Sequence, residues 1–143
     1  MKKLITIFIF CFVSTFIFSQ DVLGHWKSVD DESGKTRSVV HVYKEADGTI
    51  SGKIIKLFQD PSEDQDPVCQ ECDEDDPRYM KKIIGMVIMR NMKEDGDVCS
   101  GGLILDPESG SDYRCKIWTD GNDKLKVRGY LGPFYRTQTW LRQ

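Results

Sequence analysis

Two histidines, His25 and His41, are all that the 143 residues offer for base catalysis at neutral pH. No Ser-His-Asp set, pair of catalytic acids or phosphate-cradling loop can be assembled around them, and the glycine-rich stretches read as hairpin turns. Proline is scarce too: there are five, three of them between residues 59 and 82. Past residue 18 no apolar run approaches the ~20 residues of a spanning helix. No segment between turn signals keeps an i, i+3, i+4 pattern, which predicts little helix. Positive charge is not in excess, with 20 basic against 23 acidic side chains, so the chain lacks what nucleic acid or anionic lipid would need. These absences show no catalytic constellation, so an enzyme on this scaffold is only a third reading, and they give no reason to expect a cofactor.

What is present begins with a leader. Lys2 and Lys3 precede an apolar run from Leu4 to Phe18 containing Cys11, and Ser19-Gln20-Asp21 follows. A basic start, an apolar middle and a small residue at the cut site describe a secretory signal peptide over residues 1–19. The expected location is therefore exported, periplasmic or secreted, with no membrane span after cleavage. Residues 20–143 make one domain, with 18 basic and 23 acidic side chains, 18 − 23 = −5. Four cysteines remain, Cys69, Cys72, Cys99 and Cys115, and an even number in an exported chain favours disulfides.

Eight strand-like runs follow one another. They are Gly24–Val29, Thr36–Tyr43, Thr49–Phe58, Ile83–Met92, Val98–Leu105, Ser111–Trp118, Leu125–Tyr130 and Arg136–Arg142, rich in β-branched and aromatic residues and mostly joined by short turns such as Asp47-Gly48. Simple succession predicts an all-β, eight-stranded antiparallel up-and-down barrel; a sandwich of the same strands is the alternative. Residues 59–82 interrupt the rhythm with nine carboxylates and no base before Arg78, so they form a long acidic loop.

Cys69-Gln70-Glu71-Cys72 has redox spacing, but the carboxylates around it would raise the thiol pKa. A closed zinc site wants about four N or S ligands and the histidines lie far off in sequence. The preferred reading is a disulfide clamping the acidic loop; calcium binding by that loop is left open, although EF-hand spacing is absent. For Cys99 and Cys115 a regular hairpin places Cys99 opposite Ile117 and Gly101 opposite Cys115, as diagonal neighbours. A bulge at Gly101-Gly102 would shift the register and could close a second disulfide; two buried thiols are the alternative. Arg128 and Tyr130 alternate with Leu125, Val127 and Gly129, which on periodicity sends them to solvent. A bulge at Gly129 would instead turn them to the barrel mouth as ligand-binding residues, with Arg128 a carboxylate fork.

Gly24-His25-Trp26, Val42-Tyr43 with Gly48 and Gly52-Lys53-Ile54, Gly101-Gly102 with Asp106-Pro107 and Gly110, and Val127-Arg128-Gly129-Tyr130-Leu131-Gly132 with Thr137-Gln138-Thr139-Trp140 together resemble the bacterial domain-of-unknown-function family 2147. The resemblance runs through the whole mature chain. One departure is Val98-Cys99-Ser100, where the family tends to carry a Trp just before Gly-Gly. It implies a small exported protein with a lipocalin-like (calycin) barrel and carries no established activity. It also implies that Trp26 packs beneath Arg142 as a structural plug at the closed end. The leading functional expectation is non-enzymatic binding of a small apolar or amphipathic molecule inside the barrel. The alternative is an envelope protein-interaction or stress-response module whose barrel is filled by side chains, with an envelope protein as partner.

Overall fold

The computed structural model describes residues 21–143; the signal-peptide expectation falls on residues outside these. Eight strands follow in order: β1 (Gly24–Val29), β2 (Thr36–Lys44), β3 (Ile50–Leu57), β4 (Val87–Asp95), β5 (Val98–Asp106), β6 (Ser111–Thr119), β7 (Lys124–Leu131) and β8 (Phe134–Arg142). Each pairs antiparallel with the next, and β8 returns to β1 through Trp26 opposite Arg142 and Lys27 opposite Leu141, closing the barrel. Closure leaves no free sheet edge. The described residues contain no helix, and so none long and apolar enough to cross a membrane.

The period-2 alternation of the sequence decides what faces inward. Val40 and Val42 on β2, Ile117 on β6 and Leu125 on β7 are buried, and Trp26 is fully enclosed among them. Two places depart from a regular ladder. At Gly52 a Cβ would stand 3.1 Å from Met89 Cβ, and the β3–β4 register shifts there. At Gly102 a Cβ would lie 2.2 Å from the Arg90 carbonyl oxygen, so only glycine fits where β4 and β5 cross most closely. Neighbouring Asn91 and Gly101 take left-handed backbone angles, φ 58° and 80°.

Three sequence expectations need correction. β4 starts at Val87, not Ile83, because Gly85 at φ 91° turns the chain and the segment before it belongs to the long loop. β8 starts at Phe134, not Arg136, because the β7–β8 connection is only Gly132-Pro133, with Leu131 facing Phe134. Cys99 and Cys115 are free, buried thiols rather than a disulfide. The bulge exists, between Ser100 and Gly102, but it separates them: Cys99 faces Ile117 while Cys115 faces Gly102, one step farther along β5 than a regular ladder would give. Burial pushes the Cys99 thiol up to about 11, helped by Glu94 and Asp21, and the Cys115 thiol up to about 12.

Candidate functional site

In an up-and-down barrel alternate connections share an end. The β1–β2, β3–β4, β5–β6 and β7–β8 connections therefore gather at one mouth, and the remaining turns gather with the chain ends opposite.

The opposite end is shut. Trp26 donates its indole N–H to the Val22 carbonyl at 2.8 Å, and the Arg142 guanidinium lies over its ring at 4.0 Å from the centroid. Arg142 also donates to the carbonyls of Asn122 (2.6 Å), Leu23 (3.2 Å) and Asp21 (2.9 Å), tying the start of the described chain, the β6–β7 turn and the last strand together. A planar guanidinium suits this, stacking on an aromatic face while its edges donate.

Above this plug the barrel is open. A cavity of about 920 Å³ runs from the mouth down to Trp140, walled by Ile54, Ile88, Ile104, Leu105 and Val127. Polar residues line it too, charged ones at the mouth and uncharged ones farther along the strands. The Ser28 and Ser38 hydroxyls hydrogen-bond each other at 2.7 Å across β1 and β2. Gln138 accepts the Trp140 indole N–H at 3.0 Å through Oε1. Tyr113 also lines the space, and its ring occupies the gap left by Gly129, where a Cβ would stand 3.6 Å from Tyr113 Cβ.

Two ion pairs brace the rim. Arg37 on β2 reaches Glu108 in the β5–β6 turn, and Arg136 on β8 donates to Asp31 in the β1–β2 turn at 3.0 Å. Both are exposed, a setting in which such pairs contribute little, about 0–1 kcal/mol.

The long acidic loop covers one side of the mouth. It folds back on itself: Cys69 N–H donates to the Lys81 carbonyl, Met80 N–H to the Cys69 carbonyl and Ile83 N–H to the Pro67 carbonyl, and Val68 bridges to Lys82. Cys69 and Cys72 form the expected disulfide, buried within this fold. The loop packs so tightly on the β5–β6 turn that a Cβ on Gly110 would collide with the Glu71 carbonyl. Arg78 anchors it to the wall, donating to Asp76 (Nη2 to Oδ2, 2.6 Å) and to Asp112 on β6 (Nη2 to Oδ2, 2.6 Å), while Arg90 shares Asp112 at 2.9 Å. The Arg78 side chain, with its own backbone N–H, holds the Asp76 carboxyl down at about 2. Burial alone would raise Asp112, but the Arg78 and Arg90 hydrogen bonds outweigh it and its pKa is lowered. Val68, Gln70, Glu71 and Ile83 of this loop line the cavity, which makes it part of the site.

Arg128 and Tyr130 are not in the cavity. The register runs unbroken through Gly129, which faces Cys115 on one side and Arg136 on the other, so no bulge turns their side chains inward. Arg128 sits on the outer wall, its guanidinium 5.0 Å from the Trp118 ring centroid and 4.2 Å from that of Tyr135, with Nε donating to Thr137 Oγ1 at 2.8 Å. Tyr130 lies beside Tyr135 on the same wall, ring centroids 6.0 Å apart. Among the polar residues that do meet the cavity, Arg37, Arg136, Gln138 and Tyr113 were missed by sequence reasoning. For β8 a signal existed: stepping back by twos from Trp140 gives Gln138, Arg136 and Phe134.

The sequence model of a bacterial family described as "Uncharacterized protein conserved in bacteria (DUF2147)" matches residues 24–142. Among solved structures, the Helicobacter pylori protein HP1028, described as belonging to the lipocalin family, superposes with a TM-score of 0.69. It shares 16% identity, over 86% of this chain and 83% of that one. No curated protein matches the chain.

Proposed function

Since this chain belongs to the DUF2147 family of uncharacterized bacterial proteins and folds as a lipocalin-like barrel, we propose that it is an exported binding protein that holds one small apolar or amphipathic molecule inside the barrel. The observation that carries this is the cavity of about 920 Å³. Its size lies within the roughly 300–1,000 Å³ of small-molecule sites, and it combines apolar walls with polar groups held at fixed positions. Eight-stranded barrels are wide enough to hold one small ligand. Export is read from the leader at residues 1–19 and agrees with a disulfide between Cys69 and Cys72.

The hydroxyl pair of Ser28 and Ser38, the Tyr113 phenol and the Gln138 amide give a polar part of the ligand somewhere to bond, while Ile88, Ile104 and Val127 take the apolar part. Native mass spectrometry of protein purified from its source envelope is the direct test. A single small molecule retained at one per chain and released on denaturation is the expected result. Protein that carries nothing, and that also fails to take up an apolar fluorescent probe, would overturn the reading.

A further inference from the structure

We propose that the barrel selects cationic over anionic amphiphiles, taking a molecule with an amine or quaternary ammonium head and an apolar tail. The proposal rests on the cavity reading above and adds the class of ligand.

Charge is divided between the ends of the molecule. The connections at the mouth, residues 30–35, 58–86, 107–110 and 132–133, hold 13 acidic and 4 basic side chains, 4 − 13 = −9. The rest of the described chain holds 10 acidic and 14 basic, 14 − 10 = +4. Acidity alone would be a solvated surface; here four of these carboxylates, Asp30, Asp64, Glu71 and Glu108, line the cavity, as does Asp106 at the end of β5. Both basic side chains that line that entrance, Arg37 and Arg136, are engaged by Glu108 and Asp31. Among the described residues Asp64, Glu71 and Asp106 line it outside any ion pair, and Asp30 lines it with Arg37 beyond ion-pair distance. Asp30 accepts the Ser33 N–H and O–H, bonds that favour its charged form. A head group resting at the rim with its tail toward Trp140 therefore meets a negative field, which a low-dielectric wall strengthens and which also steers cations toward the opening. An anionic head would gain an arginine only by displacing a carboxylate already there, and would stay among the others.

The test uses mature, disulfide-intact protein and three probes with the same twelve-carbon tail: dodecyltrimethylammonium, dodecyl maltoside and dodecanoate, each below its micelle concentration. Calorimetric titration at low ionic strength is expected to rank them in that order, with the cation at least about tenfold tighter than the anion. The gap should shrink as sodium chloride is added. It should also narrow in the Asp64→Asn/Glu71→Gln double variant, whose two sites are exposed. Equal binding of all three, or preference for dodecanoate, would overturn the charge selection and leave the cavity reading standing. Failure of all three to bind would overturn the cavity reading itself.

Discussion

The two ends of this barrel are held by different means. At the closed end one fully buried indole lies under one guanidinium that donates to three backbone carbonyls, and strands β1 and β8 meet there. At the mouth, exposed ion pairs, a disulfide spanning three residues of sequence separation and an Arg78-centred carboxylate cluster position loops over open space. Burial and packing dominate the first arrangement and electrostatics the second. The difference separates stability from access: the closed end can carry the fold, which frees the mouth to carry whatever polarity a ligand requires.

Trp26 offers the largest test of that separation. Trp26→Ala removes the biggest fully buried side chain and leaves a cavity no neighbour can fill, a class of change that costs about 3–5 kcal/mol. A fall of that size in denaturant-measured stability, with apolar probe affinity nearly unchanged under native conditions, is expected. Arg142→Ala acts on the same end but leaves the indole in place. Its loss of the charged donors to Asn122, Leu23 and Asp21 should cost about 1.5–3 kcal/mol. Midpoints unmoved in both variants would mean that the closed end does not carry the fold.

The next test acts on the mouth alone. Asp76 is held at about 2 against an ordinary 3.8, and Asp112 is also lowered. Carboxyl groups depressed in the folded state stabilise it fully above their ordinary pKa and lose that contribution as pH falls through the folded value. The loop anchored by Arg78 should therefore loosen between about pH 4 and pH 2. Hydrogen exchange would report it: the amides of Cys69, Met80 and Ile83, which hold the loop's internal bonds, should lose protection before those of β1 and β8. Loss of protection at both ends together would show that the loop is not an independent unit. Arg78→Gln should move the same change toward neutral pH.

How far this division could be read in advance depends on the residue. The strands were legible because runs such as Ser38-Val39-Val40-His41-Val42-Tyr43 are rich in β-branched and aromatic residues, and because Asp47-Gly48 and its counterparts punctuate them. The closed barrel followed from the succession of strands. The mouth was harder. Arg37 sits beside a register shift between Ser28 and Val29, so alternation does not assign its side chain to either face. Arg136 opens the β8 expected from the sequence and its face follows from stepping back from Trp140, but its partner Asp31 lies 105 residues away, a pairing that no local pattern gives. The Cys99 and Cys115 pairing turned on which way a bulge at Gly101 moves its neighbours, a matter of three-dimensional register that counting along a strand leaves undetermined. The acidity of residues 59–82 was plain, but its bearing on a ligand needed the position of that loop over the cavity.

The smallest expected effect comes from Arg128, which belongs to neither end. On the outer wall its guanidinium lies between Trp118 and Tyr135 and donates to Thr137. Stacking of this kind at a partly exposed site contributes about 0.5–1 kcal/mol, and the side chain also covers part of two rings. Arg128→Ala should therefore lower stability by about 1 kcal/mol, well short of Trp26→Ala. Tyr130 borders the same surface without entering the cavity, so Tyr130→Phe should change little. Neither substitution should alter the affinity of a twelve-carbon probe, because the lumen at that level is lined by Val127 and Gly129, whose side-chain positions point away from Arg128. Calorimetry of the two variants against the parent protein decides the matter. A tenfold loss of probe affinity in Arg128→Ala, about 1.4 kcal/mol, with stability intact, would place ligand binding on the aromatic outer wall. The closed end and the mouth would then no longer account between them for both the fold and the binding.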